Sequence, residues 1–142
     1  MMPLIVLVAV TVVAYELGAW RVPALHSWPA AVRLGLAAMF CFTALSHFTP
    51  MRHDLVRMLP PWVPYPEAVI VLTGVCELLG GIGLLVPRTR RSAAIALVLF
   101  LVAVFPANVH AAQAGLELGG RPVTPGSGFL AALSGVLDWL VP

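Results

Sequence analysis

Glu77 lies in the middle of an apolar run, AVIVLTGVCELLGGIGLLV at 68–86. An acid at the centre of a membrane-spanning helix costs about 2.5–3.5 kcal/mol to insert, so it normally faces protein or water and has a partner. Withdrawn from water, a carboxylic acid serves as a proton carrier or as a hydrogen-bond donor. The competing role is structural: a neutral acid bonded to a nearby hydroxyl or carbonyl can lock two helices together. His47 is the second group with chemistry. Its imidazole could donate to a quinone carbonyl, relay a proton to Glu77 or ligate a metal or haem, or it could simply cap a helix and fix the chain beyond it. At a rise of ~1.5 Å per residue the two side chains differ in depth by on the order of 10 Å. A direct contact is therefore not expected unless water, or a hydroxyl such as Thr43 or Thr73, stands between them. Asn108 is the third polar group, expected to face the bundle with Leu101, Phe105 and Ala112. His110, two positions on, points elsewhere.

These residues define a candidate site with Glu77 and His47 as its catalytic pair and with Thr43, Thr73 and Asn108 beside them as cofactor-binding groups. No metal is expected. His47 and His110 lack the fixed spacing of a metal or haem site, and Cys41 and Cys76 form no CxxC. The cysteines are expected to act as small buried hydrophobes. Glu16 and Arg33, each within about a turn of a helix end, suggest an ion pair or snorkelling to the interface.

The elements that must position this site are membrane helices. Hydrophobic residues make up 61% of the chain and charged ones 10%, against roughly 25% charged in soluble domains. The windows 1–15, 34–51 and 92–116 contain no Asp, Glu, Lys or Arg. With a net charge of +2 and no basic tract, nothing points to a nucleic-acid partner. Helices are expected at about 4–20, 30–48, 67–86 and 92–112. A shorter apolar segment at 128–141 fits either a fifth crossing or an interfacial helix. The first segment has no basic residues before it, so it reads as a retained helix and not a cleaved signal. Between the second and third helices, 49–66 carries five prolines and reads as an extended hairpin with a short helical turn around 54–58. Trp62 and Tyr65 place this hairpin at the membrane surface.

Gly74 and Gly81 flank Glu77 at i−3 and i+4, with Gly80 and Gly83 nearby. Small residues at this spacing let a second helix approach closely, so the acid is expected to face a helix and not lipid. Pro87 ends the third helix, and Arg88, Arg90 and Arg91 follow. By the positive-inside rule the 87–91 loop is cytoplasmic, which puts the hairpin and the N-terminus outside.

His47-Phe48, Pro50, Pro60-Pro61-Trp62-Val63-Pro64, Gly74, Glu77, Gly81, Val86-Pro87-Arg88-Thr89-Arg90-Arg91 and Phe105-Pro106-Ala107-Asn108 together resemble the DoxX-like membrane proteins, over about residues 34–112. The family takes its name from a small subunit associated with a thiosulfate:quinone oxidoreductase. The resemblance implies a four-helix membrane bundle and a link to quinone or thiol redox chemistry. Small members begin with the helix matching the second one here, so the first looks like an N-terminal addition.

The expected fold is thus an all-α membrane protein, a four-helix transmembrane bundle of the DoxX-like type with four or five crossings, in the cell (inner) membrane. The expected function is a redox-associated subunit, part of a quinone-linked oxidoreductase, that binds a quinone-like apolar molecule near the outer leaflet. An accessory subunit that stabilises a larger membrane complex, with a protein partner or a second copy of the chain, is the alternative. A small-molecule or proton transporter has less behind it, because the spans hold one mid-depth acid and no visible inverted repeat.

Overall fold

The computed structural model describes residues 2–118 and 120–122. Its helices are α1 (Met2–Trp20), α2 (Trp28–Ser46), α3 (Arg52–Met58), α4 (Pro66–Leu85) and α5 (Arg90–Gln113), with a 3₁₀ turn at Pro23–Leu25. A two-residue antiparallel pairing of β1 (Glu117–Leu118) with β2 (Arg121–Pro122) follows α5. The regular structure of the described residues is otherwise all helical. α1, α2, α4 and α5 are each long and apolar enough to cross a membrane, compatible with an integral membrane protein. Their bounds agree with the expected ones to within two residues. The helix expected at 128–141 lies outside the described residues.

Prolines set several of these bounds. Pro29 and Pro66 stand in the first turns of α2 and α4, where no intrahelical N–H is needed. Val86, just before Pro87, is extended (φ −82°, ψ 119°) and closes α4, as the residue preceding a proline is pushed out of the helical region. Pro106, in contrast, sits inside α5, which continues to Gln113. In the hairpin the expected short turn is a seven-residue helix, because no proline interrupts 51–59 and Pro50 and Pro60 fall outside it.

Packing follows chain order and is antiparallel at each step: α1 on α2, α2 on α4, and α4 on α5. The core joins Leu7 of α1, Leu36, Ala37, Met39 and Phe40 of α2, Leu84 of α4, and Ala94, Leu97 and Leu101 of α5. Glycines permit the close approaches. A methyl group on Gly81 would lie 3.1 Å from the Ala37 carbonyl and 3.2 Å from Cys41 Sγ, both on α2. Gly80 and Gly83 face the other way, against Leu97 and Ala93 of α5. α4 is therefore the helix that both neighbours share.

Candidate functional site

His47 is the C-cap of α2 and is buried. Its ring lies over the first turns of α4, where Gly74 leaves room for it: a methyl group there would come within 2.6 Å of His47 Cβ. Nδ1 is 2.7 Å from the Ile70 carbonyl oxygen and 3.2 Å from Thr73 Oγ1. A carbonyl only accepts, so Nδ1 carries the hydrogen. In the neutral ring Nε2 is then left with its lone pair. That nitrogen stands 3.7 Å from Glu77 Oε2.

The contact corrects the depth count, which required a bridge between His47 and Glu77. The count assumed that α2 and α4 end at one height. His47, at the end of α2, instead stands level with Gly74, two turns into α4, so only three residues, about 4.5 Å of rise, separate it from Glu77, a gap the two side chains close. The hydroxyls expected to bridge the pair flank it instead. Thr73 Oγ1 donates to the Ile70 carbonyl at 2.9 Å and touches Nδ1. Thr43 lies beside the Glu77 carboxyl, and its hydrogen is also within reach of the Met39 and Phe40 carbonyls, at 3.2 and 3.0 Å. Thr43 can thus serve either form of Glu77. It donates to a carboxylate, or turns its hydrogen to its own helix and accepts from the neutral acid.

Glu77 Oε2 is buried and has no hydrogen-bond partner. A separation of 3.7 Å is ion-pair range but too long for a hydrogen bond. The pair therefore presents a bare lone pair and an unsatisfied carboxyl oxygen, with room for a proton to belong to either, inside an apolar surround. This can hold and exchange a proton and can bond a carbonyl or hydroxyl oxygen.

Asn108 is not drawn into this cluster. It is on α5, which packs on α4, and its Nδ2 donates to the Val104 carbonyl one turn earlier at 3.3 Å. His110 ties α5 to the hairpin, with Nδ1 3.1 Å from the Met58 carbonyl oxygen. That bond was not legible in the sequence, because its acceptor is a backbone carbonyl at a distant position. Arg52 and Glu67 pair across the base of the hairpin. Cys41 is half-buried against Gly81, whereas Cys76 is exposed on the outer face of α4 and not buried as expected; both are free thiols. Position 76 falls on the same side as the exposed Leu72, Val75 and Leu79. Glu16 is exposed and Arg33 half-buried, and neither enters an ion pair among the described residues. Nor do the described residues hold any cluster of three or more His, Cys, Asp or Glu that could bind a metal.

The chain matches, over residues 36–127, the family described as a domain of unknown function, DUF8561, and it belongs to that family. The match takes in His47, the hairpin, Glu77 and Asn108 and begins inside α2. No curated protein and no solved structure matches the chain.

Proposed function

We propose that this protein is a DoxX-like, redox-associated membrane subunit that binds a quinone-like apolar molecule at the His47–Glu77 pair. The observation that carries the reading is the unsatisfied Glu77 Oε2 3.7 Å from His47 Nε2. A quinone carbonyl accepts a hydrogen bond from the protonated member of the pair. The hydroquinone form presents a hydroxyl at the same position, which donates to the other member. Thr73 and the Ile70 carbonyl hold the ring in the required tautomer. Asn108 belongs to this site only if the ligand spans from α4 to α5. In this reading the protein sits in the cell (inner) membrane with the 87–91 loop in the cytoplasm and the hairpin outside, so the pair lies toward the outer leaflet.

The test is to purify the protein in mild detergent, extract it with organic solvent and assay for quinone. Copurified quinone should fall in Glu77→Gln and His47→Ala; equal retention in both variants would count against this site. A second reading, an accessory subunit that stabilises a larger complex, is favoured by the wide apolar surfaces on α1 and α5, including Ile5, Val8, Val12, Leu99 and Val102. Affinity purification that recovers no membrane partner would remove it.

A further inference from the structure

The His47–Glu77 pair has polar surroundings on one side only. Toward the hairpin, Thr73 Oγ1 lies 3.2 Å from His47 Nδ1 and is half-buried. Ser46 and Thr49, where α2 gives way to the hairpin, are both exposed. α4 continues about two turns past the level of His47, since the histidine faces Gly74, well inside that helix. Over this stretch Arg52 and Glu67 meet with both side chains partly open to solvent.

In the other direction the polar groups stop. One turn past Glu77, Gly81 meets the Ala37 carbonyl, Phe40 and Cys41 Sγ on α2. Beyond it Leu36 of α2, Leu84 of α4, and Ala94 and Leu97 of α5 close with Phe40 into one buried apolar layer. Among the described residues only His47 and Thr11 are polar side chains in the buried class. Thr11, on α1, packs against Gly35, eight residues along α2 from Thr43, or about 12 Å. Its Oγ1 is sealed and has no partner. A proton crosses a membrane protein along polar side chains or water, and a close-packed apolar layer offers neither. Of the other titratable groups on the elements around the pair, Cys41 lies against Gly81 and Cys76 is exposed on the far face of α4. His110, Glu67 and the charged residues of α3 stand on the hairpin side. Arg33 and Arg90 lie beyond the apolar layer, near the starts of α2 and α5.

We propose that the His47–Glu77 pair exchanges protons with the hairpin side of the membrane and not with the other. This rests on the reading of the pair as a proton-holding ligand site and gives that site a direction: a proton passed from a ligand hydroxyl to His47 Nε2 leaves toward the hairpin.

The test follows Glu77 itself. The full chain carrying Cys41→Ala, Cys76→Ala and Trp62→Cys is sealed into liposomes in mixed orientation, and an impermeant maleimide measures the fraction with the hairpin outside. External pH is then stepped while the infrared C=O stretch of the protonated Glu77 carboxyl, assigned by its loss in Glu77→Gln, is recorded before and after a protonophore is added. The share of the band that responds at once should equal the hairpin-outside fraction, and the remainder should respond only after the protonophore equilibrates the lumen. A full response before the protonophore, or one that matches the hairpin-inside fraction, overturns the proposal. So does a band that ignores pH even afterwards, because the pair would then exchange with neither side. No quinone is present, so this outcome is separate from the ligand reading, which stands or falls on quinone retention in Glu77→Gln and His47→Ala.

Discussion

His47 is held on both sides, and this fixes what its ring can do. The Ile70 carbonyl commits the Nδ1 hydrogen, so all proton chemistry passes through Nε2 and the Glu77 carboxyl. Nitrogen-15 NMR of labelled histidine should show a protonated Nδ1, and Glu77→Gln should move the Nε2 resonance while leaving Nδ1 in place. A shift confined to Nδ1 would mean the tautomer is reversed. Gly74 carries a steric prediction. Gly74→Ala puts a methyl group against His47 Cβ, and overpacking of this kind costs about 1–3 kcal/mol. Thermal unfolding should show that loss, and ligand retention should fall with it. At this scale the sequence was half legible. The expense of a mid-helix acid and the flanking Gly74 and Gly81 disclosed that Glu77 faces a helix and not lipid; that the helix is α2 comes from the structure. Its contact with His47 stayed hidden because residue counting measures depth along each helix separately and does not reveal that α4 begins about two turns beyond the level of His47.

Among the elements, two of the ties that hold the hairpin are the surface pair Arg52 and Glu67 and His110 bonding the Met58 carbonyl. The two ties should differ in strength. Exposed ion pairs contribute under about 1 kcal/mol, whereas leaving a partly buried carbonyl without its donor costs about 1–3 kcal/mol. Limited proteolysis within 49–66 should therefore accelerate more in His110→Ala than in Arg52→Gln. Equal rates would assign the hairpin's order to the packing of Met58 and Pro60, both buried. The bend back into α4 is made by Tyr65, which adopts φ 51°, an uncommon conformation for an aromatic residue. The prolines announced a break in the helices here, and no local pattern pointed to the tie with α5. Asn108 was expected on the bundle face from periodicity alone; it is half-buried, and its amide donates within α5.

For the whole molecule, length and hydropathy disclosed the four long helices, since an apolar segment of about 20 residues has few other uses. Which helix packs on which depended on glycine placement, and α4 carries two glycine faces: Gly74 and Gly81 toward α2, Gly80 and Gly83 toward α5. The proposed sidedness is testable with single-cysteine variants made after Cys41→Ala and Cys76→Ala. Trp62→Cys, at a highly exposed hairpin position (77%), should react with an impermeant maleimide added to intact cells. Arg88→Cys should react only after the membrane is opened. The reverse pattern would invert the orientation and place the His47–Glu77 pair toward the cytoplasmic leaflet.

The central claim is that His47 and Glu77 together bond the oxygen of an apolar ligand, and the most direct measurement is the Kd of a short-chain benzoquinone for the purified protein. One hydrogen bond to a charged or proton-sharing group is worth about 1.5–3 kcal/mol, roughly 10- to 100-fold in affinity. Glu77→Gln and His47→Ala should each weaken binding by about that factor, and the double variant should lose little more than either alone, as expected of two groups acting on one oxygen. Wild-type affinity in both single variants, with their helical content intact, would contradict the account.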